Sequence, residues 1–224
     1  MKNKILFSFI VLAGMAVSSA MAQVLPSKQE TLKTLTLVNS YFMKKYADYT
    51  LPSKTDRVRP SNIWTRGVYY EGLMELYKIF PKEEYYQYAY GWSDFHKWGM
   101  RNGTTTRNAD DQCCGQTYID LYNICPTSPA MLKDIKACMD MLVNTPQVDD
   151  WTWIDAIQMG MPVLAKLGKL TGNTAYFDKM WDMYAYSRNT HGGGLFNLKD
   201  GLWWRDADFV APYKEPNGED CYWS

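Results

Sequence analysis

The sequence predicts an all-α protein of paired helices, a repeat array that can close into an α/α toroid. Three observations predict it. Helical periodicity covers most of the chain, and no convincing run of alternating strand pattern appears before the C-terminal tail. Turn residues break the pattern at Phe80-Pro81, Cys125-Pro126-Thr127 and Thr171-Gly172-Asn173. The helices also pair, and the pairs resemble each other at a spacing of roughly 40 to 50 residues, as in arrays whose units pack only on their neighbours. An open solenoid or an irregular bundle is the plainer alternative.

Residues Met1 to Ala22 read as a secretory leader: Lys2 and Lys4 start it, Ile5 to Val17 is apolar, and Ala20-Met21-Ala22 is a small-residue cleavage box. The apolar run is too short for a membrane span. No cysteine follows the box, so the expected mature chain, residues 23–224, is soluble, exported and periplasmic, with no membrane contact after processing.

Ser27–Tyr46 is the first predicted helix. Ser61–Ile79 and Lys82–Gly99 form the first hairpin, with Trp64-Thr65-Arg66-Gly67 leading through Gly72-Leu73 to a turn and then Tyr85-Tyr86 and Trp92. Asp110–Asn123 and Ser128–Val143 form the second, with Asp111, Gly115 and Leu121-Tyr122 before Met131. Asp150–Leu167 and Asn173–Ser187 form the third, in which Trp153-Ile154-Asp155-Ala156 leads to Tyr176-Phe177 and Trp181. Ser61, Asp110, Ser128, Asp150 and Asn173 are the predicted caps. First helices hold the small and unusual polar residues (Gly67, Gly72, Gly115, Ala156, Gly160), which suits an inner position. Second helices carry more charge, as in Lys82-Glu83-Glu84, which suits an outer one. From His191 the chain turns glycine-rich and aromatic, fit for short strands or a rim loop. It stops on an apolar cluster with no helix to bury it, so the expectation is a toroid incomplete at its C-terminus.

Charge excludes several functions. Losing Lys2 and Lys4 shifts the balance of basic to acidic residues from 24 and 24 to 22 and 24, which gives no general affinity for nucleic acid or anionic membranes. The cysteines, Cys113, Cys114, Cys125, Cys138 and Cys221, are odd in number and lack zinc-type spacing, so they read as small core residues. His96 and His191 are the only histidines, which rules out chemistry built on several of them; no metal or cofactor is expected. Nine Trp and seventeen Tyr suit a carbohydrate cleft, and equally suit ordinary helix packing.

The segment Asp149-Asp150-Trp151-Thr152-Trp153-Ile154-Asp155 is the first candidate for an active site. It sets a carboxylate among core residues, costly unless paired or chemically useful. The adjoining tryptophans could stack on a pyranose ring while the acid meets its oxygens. Met159 lies one helical turn past Asp155 on the same face, although methionine at that spacing is more often plain core.

The chain resembles the unsaturated rhamnogalacturonyl hydrolases of glycoside hydrolase family 105, relatives of the unsaturated glucuronyl hydrolases. Four segments carry the resemblance: Asn108-Ala109-Asp110-Asp111 with Gly115-Gln116-Thr117-Tyr118; Trp151 to Asp155 with Met159 and Pro162; Gly201-Leu202-Trp203-Trp204-Arg205-Asp206; and Cys221-Tyr222-Trp223-Ser224. It implies an (α/α)6 toroid, which needs about six hairpins and on the order of 300 residues. It also implies, beyond Ser224, an arginine-glycine-x-glycine-tryptophan segment.

The implied substrate is an unsaturated oligosaccharide, a lyase product with a C4=C5 double bond. Asp155 matches the family's general acid/base, which protonates C4 so that water adds at C5; burial beside Trp151 and Trp153 would favour its protonated form. Asp111 matches a second aspartate that orients substrate hydroxyls, with Asp110 as runner-up and a helix cap as the plain alternative for both. Trp153 is the implied stacking wall and Met159 an apolar side. Trp64 and Arg66 begin the first inner helix; Arg66 could meet the uronate carboxylate, although a solvated helix arginine is the commoner arrangement. Trp204 and Arg205 stand where some relatives use a histidine, and are further candidates for substrate contact. The rival readings are an exported, non-catalytic glycan-binding helical protein and another α/α-toroid enzyme, a mannanase-like hydrolase or an epimerase.

Overall fold

A computed structural model describes residues 25–210 and 214–223. The expected leader lies outside them, as does Ser224. The chain divides into two compact units, 1–38 and 39–224. In the first, the described residues open helix α1 (Lys28–Lys45), whose start is a capping box. Ser27 Oγ accepts from Glu30 N at 3.2 Å, and Glu30 Oε2 accepts from Ser27 N at 2.8 Å.

In the second unit three hairpins follow as predicted. Helices α2 (Trp64–Ile79) and α3 (Glu83–Phe95) form the first. The second is α4 (Ala109–Gln112), α5 (Cys114–Ile124) and α6 (Ala130–Val143). The third is α7 (Ile154–Thr171) and α8 (Ala175–Asn189). The inner set is α2, α5 and α7, in which α5 packs against both α2 and α7. Outer helices lie behind, α3 on α2 and α5, α6 on α5, and α8 on α7 and α6. Small residues allow the approach: a Cβ on Gly115 would lie 2.4 Å from Ile135 of α6. Two antiparallel ladders of two residues each, β1 (Ser53–Lys54) with β2 (Val58–Arg59) and β3 (Phe196–Asn197) with β4 (Leu202–Trp203), are too short to leave a periodic signal. Among the described residues no helix is long and apolar enough to cross a membrane.

Several boundaries differ from expectation, each for a local reason. Helix α3 stops at Phe95 rather than Gly99 because Lys97 and Trp98 turn left-handed, with φ of 52° and 58°. Trp98 is held there by burial and by edge contacts with Tyr90 and Tyr118. Ser61 is no cap; its hydroxyl accepts from Trp92 Nε1 and meets His96 Nε2 at 2.7 Å. Burial pushes His96 down to about 4, so it is neutral. Asn108 rather than Asp110 caps α4, its Oδ1 accepting from Asp110 N at 2.8 Å. Helix α7 ends as the turn signal implied, on Gly172 with φ 72°. Cys113, Cys114, Cys138 and Cys221 are buried and free, as read, while Cys125 is exposed.

Pro162 sits inside α7 and cannot donate to the carbonyl of Gln158. Gln116 of α5 fills the gap, its Nε2 donating to Gln158 O at 3.0 Å and to Met159 O at 3.2 Å. Gln158 in turn donates to the buried Glu71 of α2 at 2.7 Å, so one polar chain crosses all three inner helices. Burial pushes Glu71 up to about 7 from its ordinary 4.5, and its Oε1 is buried without a partner. The folded state therefore holds this proton more tightly than the unfolded one, and stability falls as pH rises through the window from about 4.5 to 7. Glu71→Gln keeps the acceptor and removes the charge. Urea unfolding should show the wild type losing about 1–2 kcal/mol more than this variant between pH 5 and pH 8.

Candidate active site

The N-termini of the inner helices, with the loops leading into them, frame a cavity of about 540 Å³. Trp64 opens α2, Ala109 and Asp110 open α4, and Trp153, Asp155, Ala156 and Met159 come from the start of α7. Arg107, Asn108, Asp150 and Thr152 complete the lining.

The rim segments are tied by one pair. Arg107 Nε donates to Asp150 Oδ1 and Nη2 to Asp150 Oδ2, both at 2.6 Å. Its remaining donors reach Thr145 Oγ1 at 3.0 Å and Gln147 O at 3.2 Å. A planar guanidinium suits this two-point grip on a buried carboxylate. Asp150 is thus no helix cap, as its place before α7 had suggested. The cap residue is Trp153, extended at φ −116°, with no side-chain cap bond. Trp153 pairs with Asp206 in an isolated bridge, and Ile154 N donates to Arg205 O at 2.8 Å. The tail after α8 is therefore a rim element that fixes the first turn of α7.

The tryptophans divide sharply. Trp153 is 45% exposed and Trp64 43%, whereas Trp151 is fully buried and donates no face to the cavity. Trp151 packs against Gly160, where a Cβ would lie 2.8 Å from its Nε1. Only Trp153 of the two can stack on a sugar. Its ring is backed by Arg205, whose guanidinium carbon lies 4.5 Å from the ring centre and 4.0 Å from that of Phe209.

The carboxylates divide as well. Asp155 is exposed at the first turn of α7, so the expected burial beside Trp151 is not found. Asp111, the preferred second aspartate, does not line the cavity: it is fully buried and accepts from Asn102 Nδ2 and Thr106 Oγ1, each at 2.7 Å. Its other oxygen faces Arg101 Nε at 2.7 Å, an ion pair at an angle that makes no hydrogen bond. Asp110, the runner-up, faces the cavity instead. Burial raises its pKa, and the charges of Asp155 and Asp111 add to the shift. Met159 lies buried on the cavity wall.

Three further candidates fall outside the lining. Arg66 is neither solvated nor in this cavity; it is buried over the Tyr46 ring at 3.8 Å and lines a neighbouring cavity. Trp204 stacks on Tyr222, and Arg205 stands behind Trp153 rather than on the surface it offers. Sequence reasoning missed Arg107 and Thr152. Arg107 had a weak signal, a lone basic residue just before a run of acids. Among the described residues no group of three His, Cys, Asp or Glu is arranged to hold a metal.

The class defined by this arrangement is an α/α-hairpin protein with an aromatic, acidic cleft where its inner helices begin. Residues 34–224 match the model of Glycosyl Hydrolase Family 88, and the chain belongs to that family. It is 25% identical over 180 residues to the unsaturated 3S-rhamnoglycuronyl hydrolase of Formosa agariphila, a match covering 72% of this chain and 46% of that protein. It is similar to the solved structure of a polysaccharide lyase (28% identity, TM-score 0.75), over 87% of this chain and 55% of that one. A family 88 glycosyl hydrolase from Bacteroides vulgatus aligns at 25% identity and TM-score 0.75, over 88% and 57%. A family 105 glycoside hydrolase from C. acetobutylicum, at 17% identity and TM-score 0.59 over 85% and 54%, shares the fold. The chain spans about half the length of the relatives it matches.

Arg107→Met removes the counter-charge of the buried Asp150 carboxylate, which keeps only the neutral Gln147 Nε2 as donor at 3.1 Å. The expected loss is about 3–5 kcal/mol in urea unfolding, with part of it recovered when Asp150→Asn is added.

Proposed function

We propose that this chain carries the catalytic aspartates of a hydrolase acting on unsaturated uronyl oligosaccharides. The observation that carries the reading is the pairing of Asp155 and Asp110 on one cavity wall beside the exposed faces of Trp153 and Trp64. A pyranose stacked on Trp153 brings its C4–C5 edge to Asp155.

A C4=C5 uronide is an enol ether. The Asp155 carboxyl gives its proton to C4 while the double-bond electrons form the new C–H bond, and the ring oxygen stabilises the positive charge at C5. Water then adds at C5 and returns a proton to the carboxylate. The hemiketal opens and the neighbouring sugar is released. Two carboxylates at the spacing used for anomeric displacement are not required. Asp110, whose pKa burial raises, stands beside Asp155 in the cavity and meets a sugar hydroxyl. Arg107 and Asp150 position both acids through their loops.

The relative from Formosa agariphila is an unsaturated 3S-rhamnoglycuronyl hydrolase. The finer assignment we propose, a rhamnogalacturonyl hydrolase of family 105 type, rests on the Trp151–Asp155 and Asn108–Asp111 motifs. Export by the leader would bring the chain to lyase products outside the cytoplasm.

A second reading, chain cleavage by elimination, is favoured by the likeness to a polysaccharide lyase. The two differ in sign: hydration consumes the ultraviolet absorbance of the C4=C5 bond, and elimination creates it. Mixing the full chain with lyase-treated rhamnogalacturonan should lower that absorbance. Asp155→Asn should slow the loss by about 10²–10⁴-fold with no change in melting temperature. A rise in absorbance from intact polysaccharide would replace hydration with elimination, and binding without change would leave a glycan-binding protein.

A further inference from the structure

The first turn of α2 has a cavity on each side. Trp64 faces the one described above, while Thr65 and Arg66 line a second, of about 420 Å³, together with Lys45, Ser53 and Lys54. We propose that this second cavity is an anion subsite that holds the carboxylate or sulfate of a further sugar unit; calling that unit part of the same oligosaccharide rests on the functional reading above.

Arg66 is 6% exposed. The face of its guanidinium lies over the rings of Tyr46 and Phe42, which leaves its in-plane N–H donors. No carboxylate or carbonyl among the described residues receives them, so they are left to the cavity that Arg66 lines. Two hydroxyls on the same wall, Ser53 Oγ and Thr65 Oγ1, are also buried without partners, and Ser53 is 3% exposed. Helix α2 adds its N-terminus: Ile63 provides no side-chain cap, and with Arg66 N and Gly67 N donating to Ile63 O the amides of Trp64 and Thr65 are left without a helical partner. The exposed Lys45 and Lys54 complete the positive lining. Asp48 is the one acid on the wall, and it already accepts from Thr50 N at 2.9 Å and Thr50 Oγ1 at 2.5 Å.

A planar oxyanion set against the edge of Arg66 would satisfy the guanidinium at two points and both hydroxyls besides. The volume falls within the range of about 300–1,000 Å³ typical of small-ligand cavities. Trp64 and Thr65 are neighbours in the chain, so one short acidic saccharide could lay a ring on Trp64 and an acidic group in this cavity.

Calorimetric titration of the full chain with sodium glucuronate, sodium sulfate and neutral methyl glucoside tests the proposal. Glucuronate, sulfate or both should bind; carboxylate preference points to a uronate and sulfate preference to a sulfated sugar. Arg66→Gln should weaken that binding by about tenfold or more. Thr65→Val, close in shape, should weaken it without disturbing the ring stack, which guards against a misfolded arginine variant. Absence of binding by either anion overturns the proposal, as does wild-type affinity in both variants or equal binding of the neutral glucoside. The sulfate titration draws on no residue of the catalytic cleft, so failure of the catalytic reading would register in turnover alone.

Discussion

The two-point contact between Arg107 and Asp150 is the constraint on which the candidate active site depends. It joins the loop that enters α4 to the loop that enters α7, and those loops deliver Asp110 and Asp155 respectively. Neither acid is held mainly by its own helix. Asp155 sits on a turn whose cap residue has no side-chain bond, fixed instead by the tail through Arg205 O and the Trp153–Asp206 bridge. One turn deeper, Gln116 satisfies the carbonyl freed by Pro162 and locks α5 to α7. The cleft is thus positioned by polar ties between segments, each leaving a buried group exposed to penalty if its partner is lost.

The acids around the cleft show how strongly surroundings outweigh residue type. Asp110 and Asp111 are neighbours, yet one faces the cavity and the other is a fully enclosed acceptor for Asn102 and Thr106. Trp151 and Trp153 divide in the same way, into core and surface. The motif that looked like a sugar platform is therefore half scaffold. Its scaffold half explains why Gly160 stands opposite, since no Cβ fits beside the Trp151 indole.

Much of the architecture was legible in the chain. Apolar periodicity and turn residues located the three hairpins, because burial of one helical face is a local signal repeated every turn. The inner and outer roles followed from small residues such as Gly115. Of the site, Trp64, Asp110, Trp153, Asp155 and Met159 do meet at one cavity. What failed was the choice between adjacent residues. At Asn108–Asp111 the cap falls two residues earlier than the doublet suggested, on Asn108, and Asp111 is buried while Asp110 faces the cavity. Arg66 was misread because its burial comes from Tyr46 and Phe42, distant in sequence and carrying no periodic cue. The left-handed Lys97-Trp98 pair is likewise enforced by tertiary packing against Tyr118.

The positive cavity beside Arg66 lies across the first turn of α2 from the acidic one beside Asp155. The central claim is that a carboxyl in the cleft protonates a vinylic carbon rather than assisting displacement at the anomeric centre. It is tested most directly by turnover of an unsaturated uronide in deuterium oxide, followed by early-time NMR of the released sugar acid. Deuterium on a single face of C4 is the result the account predicts. Release of the neighbouring sugar with no label at C4 would contradict it.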